Sequence, residues 1–162
     1  MYLFRLTYYS RNVIKSLDSS VGKEIKAILD ASSRNNPPAG ITGALIFNDQ
    51  YFAQVLEGDR KSVTSTFTRI ARDPRHSDIV ILHARPIDMR AHDGWAMAYC
   101  GHSEIVDPLY LKYGTAIGFN PAKMTAENLE AFIGDLVKTE ARVASSSPLE
   151  PAGPRIPAYT RV

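Results

Sequence analysis

The chain has 162 residues, of which 44% are hydrophobic and 22% charged, a composition typical of a soluble globular domain with a buried core. A net charge of +2 without any run of Lys or Arg argues against a nucleic-acid groove, and no apolar run approaches the roughly 20 residues that span a bilayer. The single cysteine, Cys100, excludes an intramolecular disulfide and a cysteine zinc cluster. We therefore expect a cytoplasmic protein without a membrane segment.

The first half of the chain predicts a strand, a helix and a strand pair. Residues 1–9 are rich in β-forming side chains and predict the first strand. A helix follows, because the segment Asp18-Ser-Ser20 can cap its start and the prolines after Asn36 end it. Two strands are then predicted within residues 41–57, separated by the turn-forming residues 48–50. The apolar positions of the helix recur at helical spacing at Val21, Ile25, Ile28 and Leu29.

A second helix and two further strands complete the predicted domain. The helix starts after Asp59, has apolar residues at helical spacing, and ends at Asp73-Pro74. Residues 79–82 and 95–99 predict the fourth and fifth strands. The order β-α-β-β-α-β-β is typical of an α+β, ferredoxin-like fold, in which one mixed sheet carries both helices on one face.

After residue 101 the sequence predicts helices and a tail but no further strands. Residues 104–113 predict a short helix, and residues 125–144 an amphipathic one. We expect a domain of residues 1–101 and a C-terminal helical extension, residues 102–144, that packs on the sheet; an oligomer contact or a partner site is the alternative. Residues 145–162 are rich in Ser, Pro and small residues and predict a flexible tail.

The chain contains none of the common enzyme motifs, such as a glycine-rich phosphate loop or a zinc-binding helix motif. Its four histidines lack the spacing of metal ligands, so no metal site is predicted. Glu57 and Asp59 are expected to end a strand and cap a helix rather than act as paired carboxylates. We therefore expect that this protein is not an enzyme.

One polar residue interrupts an apolar strand face. Side chains alternate along a strand, so Gln54 shares its face with Phe52 and Leu56. In the ferredoxin-like order the first and third strands are neighbours, which can place Tyr8 beside Gln54 on the helix side. An unpaired buried amide costs about 1–3 kcal/mol, so Gln54 needs partners. Either Gln54 and Tyr8 form a satisfied core pair, or they bind a polar ligand together with Asn36.

Several short motifs together resemble the BLUF family, the blue-light sensors that use flavin, over roughly residues 2–100. The matching segments are Leu6-Thr-Tyr-Tyr-Ser10, Arg34-Asn-Asn36, Gly40-Ile-Thr-Gly43, Gln54-Val-Leu-Glu-Gly58, Arg69-Ile-Ala-Arg-Asp-Pro-Arg-His76 and Trp95-Ala-Met97. The C-terminal part, including Lys112-Tyr-Gly114, is similar to the short, stand-alone PixD-like members. That likeness implies a separate effector protein, either response-regulator-like or a cyclic-di-GMP phosphodiesterase, and a homo-oligomer.

The resemblance also implies a cofactor and a photocycle. The cofactor would be FAD, with FMN or riboflavin as alternatives, lying between the two helices. Tyr8 would donate an electron and a proton to the photoexcited flavin, and Gln54 would rearrange its hydrogen bonds to give a reversible, red-shifted signalling state. The other expected flavin contacts are Ile25, Ile28 and Phe67 beside the ring, Asn35 and Asn36 at its carbonyl and N–H edge, and Arg69, Asp73 and His76 towards the ribityl and pyrimidine side.

Output is expected through the fifth strand, at Trp95 and Met97. One departure from the family pattern is Tyr9, where many relatives carry Ser or Arg; alternation places Tyr9 on the sheet face opposite to Tyr8. Two other functions remain open on the sequence. A ferredoxin-like binding module, for example for RNA, would be colourless when purified, and a small flavoenzyme would have its flavin bleached by a substrate.

Overall fold

The computed structural model describes residues 2–114, 118–146 and 159–161. Its centre is a sheet of six strands, which are β1 (Leu3–Asn12), β2 (Thr42–Phe47), β3 (Tyr51–Asp59), β4 (His76–Ile87), β5 (Trp95–Tyr99) and β6 (Tyr159–Arg161). Their spatial order is β4-β1-β3-β2-β5-β6. Only the β2–β5 pairing is parallel among these strands.

Two helices cover one face of this sheet. They are α1 (Val21–Asn35) and α2 (Arg60–Ala71). Each begins at a side-chain cap that accepts a backbone N–H of the first turn, Ser20 in α1 and Asp59 in α2. Between the helices and the sheet lies a cluster of large apolar side chains, and its buried members include Leu6, Ile25, Leu56, Val63 and Trp95.

The other two helices, α3 (Asp107–Lys112) and α4 (Ala126–Ser146), cover the opposite face. There four alanines of the sheet leave room for the large residues of α4 to approach it closely. No helix in the described part of the chain has the length and apolarity needed to cross a membrane. The buried residues of α4 are Leu129, Phe132, Ile133, Leu136 and Val137.

Some element boundaries differ from the sequence-based prediction. Strand β4 has 12 residues rather than the four predicted, because it pairs with β1 over nearly its whole length while its polar residues hide the strand pattern. Helix α3 starts at Asp107 rather than at residue 104.

The predicted tail also differs where it is described: residues 145 and 146 continue α4, and Tyr159–Arg161 pairs with β5. Residue 1, the remaining residues of the tail (147–158 and 162), and residues 115–117 lie outside the described residues.

Gly43 is required where β2 meets β3. Its φ is +145°, and a Cβ built there would lie 1.9 Å from the carbonyl oxygen of Val55. No side chain fits at that distance, so this position needs glycine. The close approach lies near the start of β2, two residues before Leu45, which lines the site described next.

Candidate functional site

A cleft of about 230 Å³ opens between α1 and α2, with the sheet as its floor. Strands β1, β2 and β3 supply the floor, α1 supplies one wall, and the C-terminal end of α2 and the start of β4 supply the other. Eight of the residues predicted as site residues line it: Tyr8, Ile28, Asn35, Asn36, Gln54, Arg69, Asp73 and His76. The sequence reasoning missed six others: Ala31, Ser32, Leu45, Phe52, Ile70 and Arg75.

Tyr8 and Gln54 meet at the floor of the cleft. They are directly opposite in the antiparallel register of β1 and β3, and both are buried, with exposed fractions of 2% and 3%. The Tyr8 hydroxyl donates a hydrogen bond to Gln54 Oε1. The Gln54 Nε2 has no hydrogen-bond partner among the residues that the structure describes, so its two donors are available to a ligand.

Burial determines the ionisation of Tyr8. Removal from water raises the pKa of the phenol well above its usual range, and the negative charge of Asp73 adds to that effect. Tyr8 therefore remains a neutral hydrogen-bond donor. The Phe67 ring packs against Tyr8 with its centroid 5.3 Å away, which fixes the orientation of the phenol.

Asn36 brings a second carboxamide to the cleft, at the C-terminal end of α1. Its backbone N–H bonds the Ser32 carbonyl, and its own carbonyl accepts from Ile41 N, so the backbone is fixed on both sides. Asn36 is buried, with an exposed fraction of 4%, yet its side chain has no hydrogen bond to another side chain or backbone group in the described ranges. Its amide therefore presents both donor and acceptor groups to the cleft.

His76 stands at the wall beside Tyr8, between two hydrogen bonds. Its Nε2 lies 2.7 Å from the Ile70 carbonyl oxygen, which can only accept, so Nε2 carries a proton. Its Nδ1 lies 2.8 Å from the Ser10 hydroxyl. Ser10 was not predicted as a site residue, although strand alternation places it on the same face as Tyr8.

Charged side chains close the rim of the cleft. The Asp73 carboxylate accepts from the backbone and guanidinium of Arg75, which also reaches the Glu24 carbonyl on α1 at 3.3 Å. Burial by itself would raise the pKa of Asp73, but the hydrogen bonds and charge of Arg75 outweigh it and hold that pKa below its usual range. Arg69 has no ion-pair partner in the described part of the chain, so its charge is available to a polar ligand.

Two predicted ring contacts lie behind the cleft wall rather than in it. Ile25 is buried in the core between α1 and the sheet, and Phe67 contacts Tyr8 from the α2 side. Neither residue lines the cleft in this structure.

Trp95 and Met97 lie one strand away from the cleft, on β5. Both are buried on the face that carries the cleft, and Met97 pairs with the cleft residue Leu45 across the parallel β2–β5 ladder. Trp95 Nε1 is buried and has no hydrogen-bond partner among the described residues. An unpaired buried donor costs about 1–3 kcal/mol, so a rearrangement that gave this N–H a partner would recover free energy of that order.

The chemistry of the cleft fits a flavin ring. Apolar side chains of α1, α2 and the sheet can pack on the faces of a flat heteroaromatic ring. The free groups of Gln54 and Asn36 can bond an edge of alternating carbonyl and N–H groups, which is the edge that the isoalloxazine ring presents. No group of side chains suited to hold a metal ion occurs among the described residues.

Comparison with known proteins gives matches in both sequence and structure. The family model described as "Sensors of blue-light using FAD", BLUF, matches residues 3–98. The photoactivated adenylate cyclase subunit beta of Euglena longa is 36% identical over 69 residues, which are 43% of this chain and 8% of that protein. The blue light- and temperature-regulated antirepressor BluF of Escherichia coli K12 is 37% identical over 65 residues, which are 40% of this chain and 16% of that protein. The chain thus spans only a small part of these curated relatives.

Two solved structures are similar over most of their length. The photo-activated state of BlsA is 30% identical, with a TM-score of 0.72, and the match covers 83% of this chain and 94% of that chain. The dark state of the BLUF protein BlrB is 31% identical, with a TM-score of 0.64 and coverage of 82% and 96%. The α+β, ferredoxin-like fold predicted from the sequence is confirmed.

Proposed function

This chain belongs to the BLUF family, the sensors of blue light using FAD, and from that premise we propose that it is a blue-light photoreceptor whose photocycle runs through Tyr8 and Gln54. The observation that carries the proposal is the Tyr8–Gln54 hydrogen bond at the floor of the cleft, where the Gln54 Nε2 has no partner in the described part of the chain. A core Gln–Tyr pair alone would not leave two amide donors and the Asn36 carboxamide facing a cleft.

A bound flavin would supply the absorption of blue light and, once excited, an electron acceptor. FAD is the form that the family description names, and FMN and riboflavin share the same ring. Ile28 would pack beside the ring, while Asn36, Asn35 and Gln54 would bond its polar edge. Arg69, Asp73 and His76 would lie towards the side chain of the flavin, and Ile25 and Phe67 would support the walls from behind.

Tyr8 is suited to give up an electron and a proton together. Its phenol is neutral and already donates its hydrogen to Gln54 Oε1. If the Tyr8 phenol lost an electron to a bound flavin, its O–H bond would break and the proton would move along this hydrogen bond to the Gln54 amide oxygen. An N–H proton of the same amide would leave on the cleft side towards the flavin, so that the amide stays neutral. Return of the electron and the proton restores the phenol, so the cycle consumes nothing and the protein acts as a sensor rather than as an enzyme.

Gln54 is suited to be the switch, because its amide oxygen and nitrogen point in opposite directions. Rotation or tautomerisation after the transfer would change which group bonds Tyr8 and which faces the flavin. A new donor to the flavin carbonyl would lower the transition energy and give a modest red shift. The reverse change in the dark would restore the original spectrum.

The exchange of one hydrogen bond is a small free-energy change. It contributes about 1 kcal/mol, whereas moving an equilibrium from 1:99 to 99:1 needs about 5.5 kcal/mol. The switch must therefore bias an element that is already close to balance. Trp95 and Met97 on β5 fit that role, because the Trp95 N–H has no hydrogen-bond partner among the described residues and Met97 has a flexible side chain.

The signal would pass from β5 to a separate effector protein in the cytoplasm, of response-regulator type or a cyclic-di-GMP phosphodiesterase. In this proposal residues 1–101 are the light-sensing unit, and residues 102–144 are an extension through which a homo-oligomer or the effector responds.

An absorption spectrum of the purified protein, in the dark and just after blue light, tests the proposal. We expect a flavin spectrum that shifts slightly to the red and recovers in darkness, and no such shift in the Tyr8→Phe variant. Flavin without a reversible shift would overturn the photoreceptor function and favour a flavoenzyme. No flavin after reconstitution would favour a binding module.

A further inference from the structure

A buried charge cluster lies on the sheet face opposite to the cleft. Its centre is Glu57, whose exposed fraction is 0% and which follows Gln54 by three positions on β3. Because side chains alternate along a strand, Gln54 faces the cleft and Glu57 faces α4. The Glu57 Oε1 accepts from Arg5 Nε at 2.9 Å and from Arg5 Nη2 at 2.7 Å. One strand thus carries the proposed switch on one face and a paired buried carboxylate on the other.

The same carboxylate holds the loop that leads into β5. The backbone N–H groups of Ala91 and His92 donate to Glu57 at 3.0–3.1 Å. Arg90, in the same loop, donates to Thr42 Oγ1 and to the carbonyl oxygens of Glu57 and Gly40. Trp95 begins β5 only three residues after His92. A displacement of β5 along the sheet therefore acts directly on the bonds to Glu57.

Arg5 continues the cluster to α4. Its Nη1 lies 3.1 Å from Glu130 Oε2, while its other two nitrogens bond Glu57. Thr7 Oγ1 donates to Glu130 Oε1 at 2.7 Å, and Arg85 Nη2 reaches Glu130 Oε2 at 3.2 Å. Two guanidinium groups thus share two carboxylates, and the side chain of Glu130 is only 13% exposed. This arrangement makes Arg5 the link between the loop before β5 and a helix.

We propose that Arg5, Glu57 and Glu130 are positioning residues for signal output, which couple a movement of β5 to the position of α4. The inference rests on the proposed photoreceptor function. A buried ion pair requires good geometry, because a partner that moves away leaves a charge without compensation in a poorly solvated site. When the loop shifts with β5, Glu57 and Arg5 must shift with it, and Glu130 either follows or loses its contact with Arg5 while it keeps those with Thr7 and Arg85. The cluster therefore converts a small strand displacement into a change at α4.

Apolar packing between α4 and the sheet also connects these elements, but it tolerates sliding because it has no preferred direction. The charge cluster supplies the directional contact. A second ion pair on α4 provides a control: Asp135 accepts from Lys112 Nζ at 2.8 Å, and Lys112 belongs to α3. That pair stabilises α4 against another helix and has no bond to β5 or to its preceding loop among the described residues.

The test compares Glu130→Gln with Asp135→Asn, since each removes one negative charge from α4 and keeps the shape of the side chain. Hydrogen–deuterium exchange of the flavin-loaded protein is measured in the dark and under blue light for residues 126–139. We expect a light-dependent change of exchange in the wild type and in Asp135→Asn, and a change about threefold smaller in Glu130→Gln. Thr7→Val removes the other β1 contact of Glu130. We expect its light-dependent change of exchange to be smaller than in the wild type and larger than in Glu130→Gln.

Absorption spectra of the same samples separate this inference from the proposed function. Glu130→Gln is expected to keep the full red shift, because Glu130 lies on the far side of the sheet from the cleft. A full light-dependent exchange change in Glu130→Gln, or an equal loss in Asp135→Asn, would overturn the coupling. A wild-type protein with a red shift but no light response in α4 would overturn it as well. A wild-type protein with no red shift would instead contradict the photoreceptor function.

Discussion

Tyr8 of β1 lies directly opposite Gln54 of β3, and its hydroxyl donates a hydrogen bond to the amide oxygen of Gln54. The two residues are 46 positions apart in the chain, and the antiparallel register brings them together at the floor of the cleft. This arrangement leaves the amide nitrogen of Gln54 on the cleft side, where no described residue forms a hydrogen bond with it. The phenol of Tyr8, the amide of Gln54 and the cleft therefore lie next to one another, in that order.

Gln54→Leu tests the amide switch. Leucine occupies a similar volume but cannot exchange hydrogen bonds, so we expect a protein that binds flavin and shows no normal red shift after blue light. The matched control is Gln50→Leu, because Gln50 is an exposed residue of the β2–β3 turn. That variant should keep the full shift. A full shift in Gln54→Leu would contradict the proposed mechanism.

Tyr8→Phe and Tyr9→Phe test the identity of the electron donor. Tyr9 packs on the opposite sheet face, against Tyr51 at a centroid distance of 6.3 Å, and has no access to the cleft. We expect Tyr8→Phe to abolish the red-shifted state and Tyr9→Phe to leave it unchanged. Transient absorption after a blue pulse measures both. If Tyr8→Phe still forms the red-shifted state, and only the double variant Tyr8→Phe/Tyr9→Phe loses it, then Tyr9 is a competing electron donor.

The raised pKa of Tyr8 predicts a specific alkaline destabilisation. A tyrosine in the unfolded chain titrates near 10, whereas burial and then the charge of Asp73 keep the Tyr8 phenol protonated in the folded protein to higher pH. Above about pH 10 the unfolded state binds fewer protons than the folded state, so the free energy of unfolding falls as pH rises. Below about pH 10 the contribution is fully present.

Urea unfolding of the wild type and Tyr8→Phe at about pH 8 and pH 11 measures this effect. We expect the wild type to lose more stability between the two pH values than Tyr8→Phe, which has no phenol at that position. Both proteins carry the same flavin, so its own titration cancels in the comparison. Tyr2→Phe removes an 86% exposed phenol and should behave like the wild type. An equal loss in wild type and Tyr8→Phe would contradict the prediction.

The sequence was sufficient to predict that β1 and β3 are neighbours in the sheet and that Tyr8 meets Gln54, but not that β5 and β6 extend the sheet beyond β2. Both follow from local rules, since strand alternation assigns faces and the ferredoxin-like order makes β1 and β3 neighbours. The position of Asn36 at the C-terminal end of α1 was predictable from a local rule as well, because the proline that follows it ends the helix there.

Other features depend on contacts that have no local sequence pattern. The link between Glu57 and Glu130 passes through Arg5, which is 52 positions from one carboxylate and 125 from the other. Arg75 lies at the rim of the cleft because its guanidinium bonds Asp73 and the Glu24 carbonyl of α1. The polar loop around Arg75 in the sequence gives no sign of these two contacts. Ile25 and Phe67 have the right spacing for a helix face, but spacing alone does not distinguish the cleft wall from the core behind it.

Gly43→Ala is expected to destabilise the fold by at least about 2 kcal/mol, because the new methyl group would collide with the Val55 carbonyl. Gly134→Ala is the matched control in α4, where a Cβ meets no atom within 4 Å. That change should stabilise the protein by about 0.5–1 kcal/mol, since alanine favours a helix interior. The thermal unfolding midpoints of both variants test this: we expect the midpoint to fall in Gly43→Ala and to rise in Gly134→Ala. A neutral Gly43→Ala would contradict the tight β2–β3 approach.

Met97→Ala tests the output strand. Met97 is 4% exposed and pairs with Leu45, which lines the cleft, so its side chain can sense a change at the floor without touching the ligand. We expect the red shift to persist, because Tyr8 and Gln54 remain intact, and the rate of dark recovery to change by about tenfold, which corresponds to about 1.4 kcal/mol in the barrier. Recovery of the dark spectrum after a blue pulse measures this rate.

The truncation also leaves a cavity, which costs about 2–5 kcal/mol of stability. Met97→Leu keeps the volume and costs less than about 1.5 kcal/mol, so it separates the loss of the flexible thioether from the loss of packing. Met89→Ala is the matched control, because Met89 is 75% exposed in the loop before β5. It should recover at the wild-type rate. If Met97→Ala and Met89→Ala both recover like the wild type, and the light response of α4 is also unchanged, Met97 does not carry the signal, and Trp95 becomes the remaining candidate on β5.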